Sequence, residues 1–348
     1  MLFGDGFVAC QAELPTLMSS CTSACIKESY NLKQKEILLN AAKSILSLSA
    51  NLEWKEYISY LCMHVDGIEI NRCSGLVLEL DGTKNSAIIL TSAWLICTNK
   101  PFDEWSDKKY APEAKVTIHL LDGITVDGEL LYFSKHYDIA FYEILVRSHL
   151  QTLPLELDPE YGEDLFVLAR DKNMDFICKT VQMMYVDPCE YQHNHYMFIG
   201  GSIPKCGTGG TLVNLNGKIM GMLFDTLPLA AFIPSSLIIR CLGLLRQYGR
   251  VVRPQLGLKL ATVGLLDMAH IELLSRRYGV TSGLIVGEVS AGCFAERVGI
   301  RRGDVILSCQ GVRISSVAQL EEILLDIGEK HIGKGNGVGS EANVEVKP

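Results

Sequence analysis

The chain has 348 residues, 48% hydrophobic and 21% charged, long enough for two globular domains and apolar enough to give each a core, which excludes wholesale disorder. Its formal net charge is −8 and, apart from Arg301-Arg302, its Lys and Arg residues are dispersed, so no basic stripe exists to neutralise phosphates and nucleic acid is excluded as an expected partner. The twelve cysteines include no C-x-x-C pair; several, such as Cys97 and Cys241, lie in apolar runs that suit a small buried thiol, a usage expected of a reducing compartment.

Residues 1 to 39 carry no clear period and no basic region ahead of their short apolar stretch, so they read as an undetermined extension without a secretory signal. From Ser44 to about Ile233 the signals are short strands and tight turns. The stretch SAIILTSAWLICTN (86–99) rises as a buried strand and breaks at a Thr-Ser-Ala turn. In KVTIHLLDGITVDGELLYF, apolar residues alternate, and Asp122-Gly123 and Asp127-Gly128 offer the positive-φ positions that hairpin turns need. Many short strands of this kind predict a β-barrel or sandwich. The most apolar region, Ile219 to Leu245, is broken by Asp225, Pro228, Pro234 and Arg240, so it is too interrupted for a membrane span. A soluble, intracellular protein is expected.

The pattern then changes. PSSLIIRCLGLLRQYG (234–249) has apolar residues at helical spacing and a terminal glycine, and predicts a helix that closes the first domain. Beyond it the chain reads as a small α/β module: a helix over 265–278, a strand over 283–289, a short helix over 291–298 and a strand over 305–308 before a Gln310-Gly311 turn. Ser316 to Gln319 forms a capping box that opens a helix with an apolar face of Leu320, Ile323, Leu324 and Ile327. After Gly328 the tail is glycine-rich and expected to be mobile, except for a possible last strand at Val344 to Val346.

Four stretches in order, ILTSAWLI (89–96), HYDIAFYEI (136–144), IPKCGTGGTLVNLNGKIMGM (203–222) and AAFIPSSLIIRCLGLLRQYGRVVRPQLGLKL (230–260), together resemble the HtrA/Deg (Do-like) family, trypsin-fold serine proteases followed by a PDZ domain. The resemblance implies a mainly β fold: a trypsin-like double β-barrel over residues 40–248, then a small PDZ-like α/β domain over 253–346. In that family the first motif is Leu-Thr-x-Ala-His, the second Asp-hydrophobic-Ala, and the third Gly-Asn-Ser-Gly-Gly-Pro-Leu. Position by position this chain has Trp94 for the histidine base, Asp138 for the orienting aspartate and Thr208 for the serine nucleophile. The loop amides at Cys206, Gly207 and Thr208 would form the oxyanion hole.

An indole N–H cannot accept a proton near neutral pH, and loss of a triad histidine in a related protease costs on the order of 10⁶ in kcat. The resemblance with these substitutions implies a pseudo-protease that binds polypeptides or protein C-termini. The alternatives are an active serine-type endopeptidase with Thr208 as nucleophile, and a non-catalytic subunit that joins active relatives in homo- or hetero-oligomers. A bound peptide would add as a strand beside Leu258, with its carboxylate on amides around Leu256, Gly257 and Leu258 and a side chain against Leu320 and Leu324. No cofactor or metal is expected: His193-x-His195 has metal-site spacing but no third ligand in view, and reads as a solvent-facing loop or strand edge. His136, two residues before Asp138, is a candidate substitute base that reads as a solvated loop residue.

Overall fold

The computed structural model describes residues 32–52, 68–99, 108–145, 150–155, 161–189, 192–201, 203–204, 207–226, 228–337 and 342–347. A helix, α1 (Leu32–Ala42), leads into six strands, β1 (Ile45–Leu52), β2 (Ile68–Asp81), β3 (Ser86–Ser92), β4 (Lys115–His119), β5 (Thr125–Ser134) and β6 (Ile139–Leu145). They close a barrel in the order β1-β2-β3-β6-β5-β4, which leaves no free sheet edge.

The near-continuous apolar runs of β2, β3 and β6 have a physical reason: these strands are buried on both faces. Val77, Ile89, Ala140 and Tyr142 point into the barrel interior. Their neighbours Leu76, Leu90, Ile139 and Phe141 point the other way, into a core shared with the second sheet and the helix that follows it. Strand β4, covered on one face only, instead alternates, with Val116 and Ile118 buried.

The hairpin between β4 and β5 turns at Asp122-Gly123, where Gly123 has φ +82° and the Asp122 carboxylate accepts the Ile124 N–H at 3.0 Å. Asp127-Gly128 makes no turn, contrary to expectation. Gly128 lies inside β5 opposite Val116, and a Cβ there would stand 2.8 Å from Ile118 and 3.3 Å from Tyr142, so glycine serves close packing in the barrel.

The second sheet comprises β7 (Asp164–Arg170), β8 (Phe176–Gln182), β9 (Met197–Ile199), β10 (Thr211–Val213), β11 (Ile219–Phe224) and β12 (Ala230–Pro234), ordered β8-β7-β10-β11-β12-β9. Helix α2 (Ser235–Tyr248) follows at once and ends at Gly249 in a left-handed cap, φ +68°. Together the closed barrel and this sheet form the trypsin-like double-barrel architecture.

The C-terminal module is α/β: β13 (Leu258–Thr262), α3 (Met268–Tyr278), β14 (Leu284–Val289), α4 (Phe294–Arg297), β15 (Val305–Ile306), β16 (Ser308–Cys309), β17 (Val312–Arg313), α5 (Val317–Gly333) and β18 (Val346–Lys347). The Ser316 hydroxyl accepts the Gln319 N–H at 3.2 Å, while the Gln319 side chain reaches the Ser315 N–H at 2.9 Å. Helix α5 does not stop at Gly328. It runs a further turn, and Gly328 is required because a Cβ there would lie 1.9 Å from the Val252 carbonyl of the inter-domain connector. Residues 338–341 of the tail lie outside the described residues.

Helix α5 also ties the module to the barrels. Leu325 is buried in the same core as Leu237, Cys241 and Leu244 of α2. Arg240 of α2 pairs with Asp326 and, at 2.8 Å, with Glu329. Among the described residues no helix is long and apolar enough to cross a membrane.

Candidate functional site

Thr208 sits in the tight turn before β10, 6% exposed. Its carbonyl accepts the Ser74 N–H of β2 at 2.9 Å, and its hydroxyl accepts the Asp225 N–H at 3.0 Å. The glycines beside it let the loop press against its neighbours. Gly209 has φ +77°, and a Cβ there would lie 2.2 Å from the Ser74 carbonyl and 2.6 Å from the Thr91 hydroxyl; at Gly210 it would lie 2.6 Å from the Leu168 carbonyl. Of the amides assigned to an oxyanion hole by resemblance, that of Gly207 donates to the Pro204 carbonyl at 2.7 Å. Cys206 lies outside the described residues.

Trp94 lies on a 3₁₀ turn, Ala93–Ile96, that follows β3, with its N–H held by the Ser92 hydroxyl at 3.0 Å. Its half-buried ring packs on the first-barrel core, and Asn71 donates to its carbonyl at 2.8 Å. Asp138 closes the turn into β6 with φ +52°, a left-handed conformation that Asp tolerates. Its carbonyl accepts the Ala93 N–H at 3.0 Å, and its carboxylate, 5% exposed, faces the Lys108 ammonium at 3.8 Å. Because Thr91 also donates to the Ser74 carbonyl at 2.7 Å, backbone bonds through β2 and β3 gather the segments bearing Trp94, Asp138 and Thr208 at one end of the barrels.

In the C-terminal module, a cavity of about 510 Å³ runs between β13 and α5, lined by Leu256, Gly257, Leu258, Leu320 and Leu324 among others. Gly257 has φ +69°, and a Cβ there would touch Cys293 at 2.6 Å. The edge of β13 that faces this groove is already bonded by the second barrel. The Asn194 amide donates to the Leu258 carbonyl at 3.3 Å, and the Asp187 carboxylate accepts the Thr262 N–H at 2.9 Å. Burial pushes the Asp187 carboxyl up to about 6, against the Thr262 hydrogen bonds.

A second polar cluster lies where the barrels meet α5, and it corrects the solvent-facing reading of the histidine pair. His193 and His195 are 5% and 1% exposed. With His136 from the β5–β6 turn they form a triangle of rings, with centroids 4.8 Å (136–195), 5.3 Å (193–195) and 5.9 Å (136–193) apart. His136 is half-buried and its Nε2 faces Glu321 of α5 at 3.4 Å, so its partner is that helix and the solvated reading fails. Burial drives all three imidazoles to lower pKa; Arg253 adds to this at His136, and at His193 and His195 the neighbouring rings do.

Burial, the largest single influence, works against the charge of Glu321, but Arg253 together with His136 and His195 more than offsets it and holds the carboxyl well below the usual range. Arg253 grips it from Nε at 2.8 Å and Nη2 at 2.9 Å, and the Tyr137 hydroxyl donates to it at 2.9 Å. Of residues that could hold a metal, His136, His195 and Glu321 offer ligand atoms that all lie within 4.8 Å of one another. Glu321, Arg253, Asp187 and Asn194 escaped the sequence reading. One signal was there for Glu321: it shares the helical stripe of Val317, Leu320 and Leu324, a carboxylate on the buried face.

Residues 73–222 match the trypsin-like peptidase domain family. The chain is 25% identical over 252 residues to "Putative protease Do-like 14" of Arabidopsis thaliana, covering 68% of this chain and 56% of that protein. It is 27% identical over 252 residues to "Serine protease Do-like HtrA" of Lactobacillus helveticus, 67% and 61% covered, and 24% identical over 261 residues to "Probable periplasmic serine protease do/HhoA-like" of Haemophilus influenzae, 71% and 53% covered. The chain thus spans a little over half the length of these relatives. The peptidase match falls on the double β-barrel and the relatives align across two thirds of the sequence, so the chain is similar to the HtrA/Deg (Do-like) trypsin-like serine proteases.

Proposed function

We propose that the chain is a pseudo-protease of this family, which binds polypeptide without cleaving it. The observation that carries this reading is at Asp138: the carboxylate that would orient an imidazole base instead faces the Lys108 ammonium at 3.8 Å. An ammonium has no lone pair with which to take a proton from a nucleophile. Trp94, at the position of the base, packs as an aromatic, and the Thr208 hydroxyl is engaged as an acceptor of a backbone amide. Acyl transfer needs a base within hydrogen-bond reach of the nucleophile, and each of the three positions instead holds local structure together.

The polypeptide site is the groove between β13 and α5. A C-terminal carboxylate would rest on the amides around Leu256, Gly257 and Leu258, and an apolar side chain would lie against Leu320 and Leu324. Strand addition requires Asn194 and Asp187 to leave the β13 edge. The same two bonds favour a second reading, in which the module serves to dock on the barrels of this chain or of an assembling relative.

The test pairs two assays. Purified chain is incubated with casein beside Thr208→Ala, and binding of fluorescent peptides with apolar C-termini is followed by anisotropy beside Leu324→Lys. No cleavage, with peptide binding that Leu324→Lys removes, is expected. Cleavage that Thr208→Ala abolishes overturns the pseudo-protease; absence of any peptide binding overturns the groove and leaves the docking reading.

A further inference from the structure

We propose that His136, His195 and Glu321, with His193 beside them, bind one divalent transition-metal ion, zinc by the character of the donors, at the junction of the two barrels and helix α5. The first support is geometric. Ligand atoms of His136, His195 and Glu321 lie within 4.8 Å of one another, and the rings of His136, His193 and His195 have centroids 4.8 to 5.9 Å apart. Two imidazoles on one tetrahedral ion, with metal–nitrogen bonds of about 2.0–2.1 Å, hold their ring centres roughly 5 Å apart. The His136 and His195 rings stand at about that separation, and the donor atoms, within 4.8 Å of one another, need to draw together to reach the roughly 3.3 Å spacing of a tetrahedral shell.

The second support is independent of spacing. His195 is 1% exposed, and neither of its ring nitrogens has a hydrogen-bond partner. Buried polar atoms are nearly always satisfied, because an unmet one carries its full desolvation cost. A buried ring nitrogen with no protein partner, within 4.8 Å of a ligand atom of a second imidazole and of a carboxylate, is what a ligand position looks like before the ion enters. The His136 Nε2 contact with Glu321 is 3.4 Å long and does not meet hydrogen-bond geometry, so an ion between them displaces no good bond.

Charge limits the site. Glu321 supplies the one anionic donor, and Arg253 shares it; a carboxylate has about four lone-pair sites, enough for the guanidinium, the Tyr137 hydroxyl and one ion. Nitrogen donors with a single oxygen suit zinc better than calcium or magnesium, which take all-oxygen shells. The ligands come from the β5–β6 turn, the loop before β9 and the groove-lining face of α5, so a bound ion would fasten both barrels to the wall of the peptide groove. This holds whether or not Thr208 is catalytic.

The experiment uses the full chain stripped with EDTA and titrated with zinc chloride by calorimetry, beside His195→Gln and His136→Gln, with X-ray absorption on the loaded protein. One equivalent is expected, with a shell of nitrogen and oxygen and no sulfur, a raised Tm, and affinity at least tenfold weaker in each variant. No binding by wild type, wild-type affinity in the variants, or sulfur in the shell, which would place the ion on cysteines, overturns the site. If His195→Gln fails to fold, half-exposed His136→Gln decides alone.

Discussion

The Thr208 loop and the histidine pocket are both buried, both polar, and both assembled from separate pieces of chain, yet their polar atoms are used in opposite ways. Around Thr208 the carbonyl, the hydroxyl and the Gly207 amide each serve a hydrogen bond within the barrels. In the histidine pocket, His195 has two nitrogens with no protein partner, and Glu321 joins three elements at once. On the proposed reading the corner that matches the family's catalytic motifs is structural, while titratable side chains gather at the domain junction. Fold and chemistry part company here: the glycine at 209 is required by the close packing of its loop on Ser74 of β2 and Thr91 of β3, whatever stands at position 208.

The comparison is broken most forcefully at Glu321. Glu321→Ala would leave the Arg253 guanidinium and the Tyr137 hydroxyl buried without their partner, at a cost of about 3–5 kcal/mol. Urea denaturation measures it; a loss below about 1 kcal/mol would mean that Glu321 holds neither group. On the other side, Gly209→Ala forces a left-handed alanine against the Ser74 carbonyl, for about 2–3 kcal/mol of destabilisation in the same assay. A neutral effect would show that the loop is free to move away from β2.

Asp187 sharpens the picture at the groove. Its carboxyl is raised from 3.8 to about 6 by burial, so the folded chain holds this proton more tightly than the unfolded one. The stabilisation is fully present below about pH 4 and is lost as pH rises through about 6. Solvent access at this half-buried site limits it to on the order of 1–2 kcal/mol. Asp187→Asn should flatten that slope in thermal melts between pH 4 and 7, and an unchanged slope would assign it elsewhere. The smallest effect is expected of Asn194→Ala, which frees the Leu258 carbonyl and should tighten peptide binding by about 0.5–1 kcal/mol; weaker binding would make Asn194 part of the peptide site.

Much of this fold was legible in the sequence for a physical reason. Strands buried on both faces, such as β3 and β6, write continuous apolar runs, and α2 announces its end with Gly249. Glycines misled where they served packing: Gly128 and Gly328 read as a turn and a helix end because a close approach from another element leaves no local trace. The same limit applies to the sites. Trp94 and Thr208 stand out against the family's motifs, but His193 and His195 read as solvated because the groups that bury them, His136, Tyr137 and α5, are distant in sequence.

The most direct measurement of the central claim, that the Thr208 corner no longer does acyl chemistry, is labelling of the folded chain with a fluorophosphonate, which reacts covalently only with an activated hydroxyl nucleophile. No label on wild type is the expected result, with Thr208→Ala indistinguishable from it. Stoichiometric label on Thr208 that disappears in Thr208→Ala would contradict the claim and require a base acting on that hydroxyl.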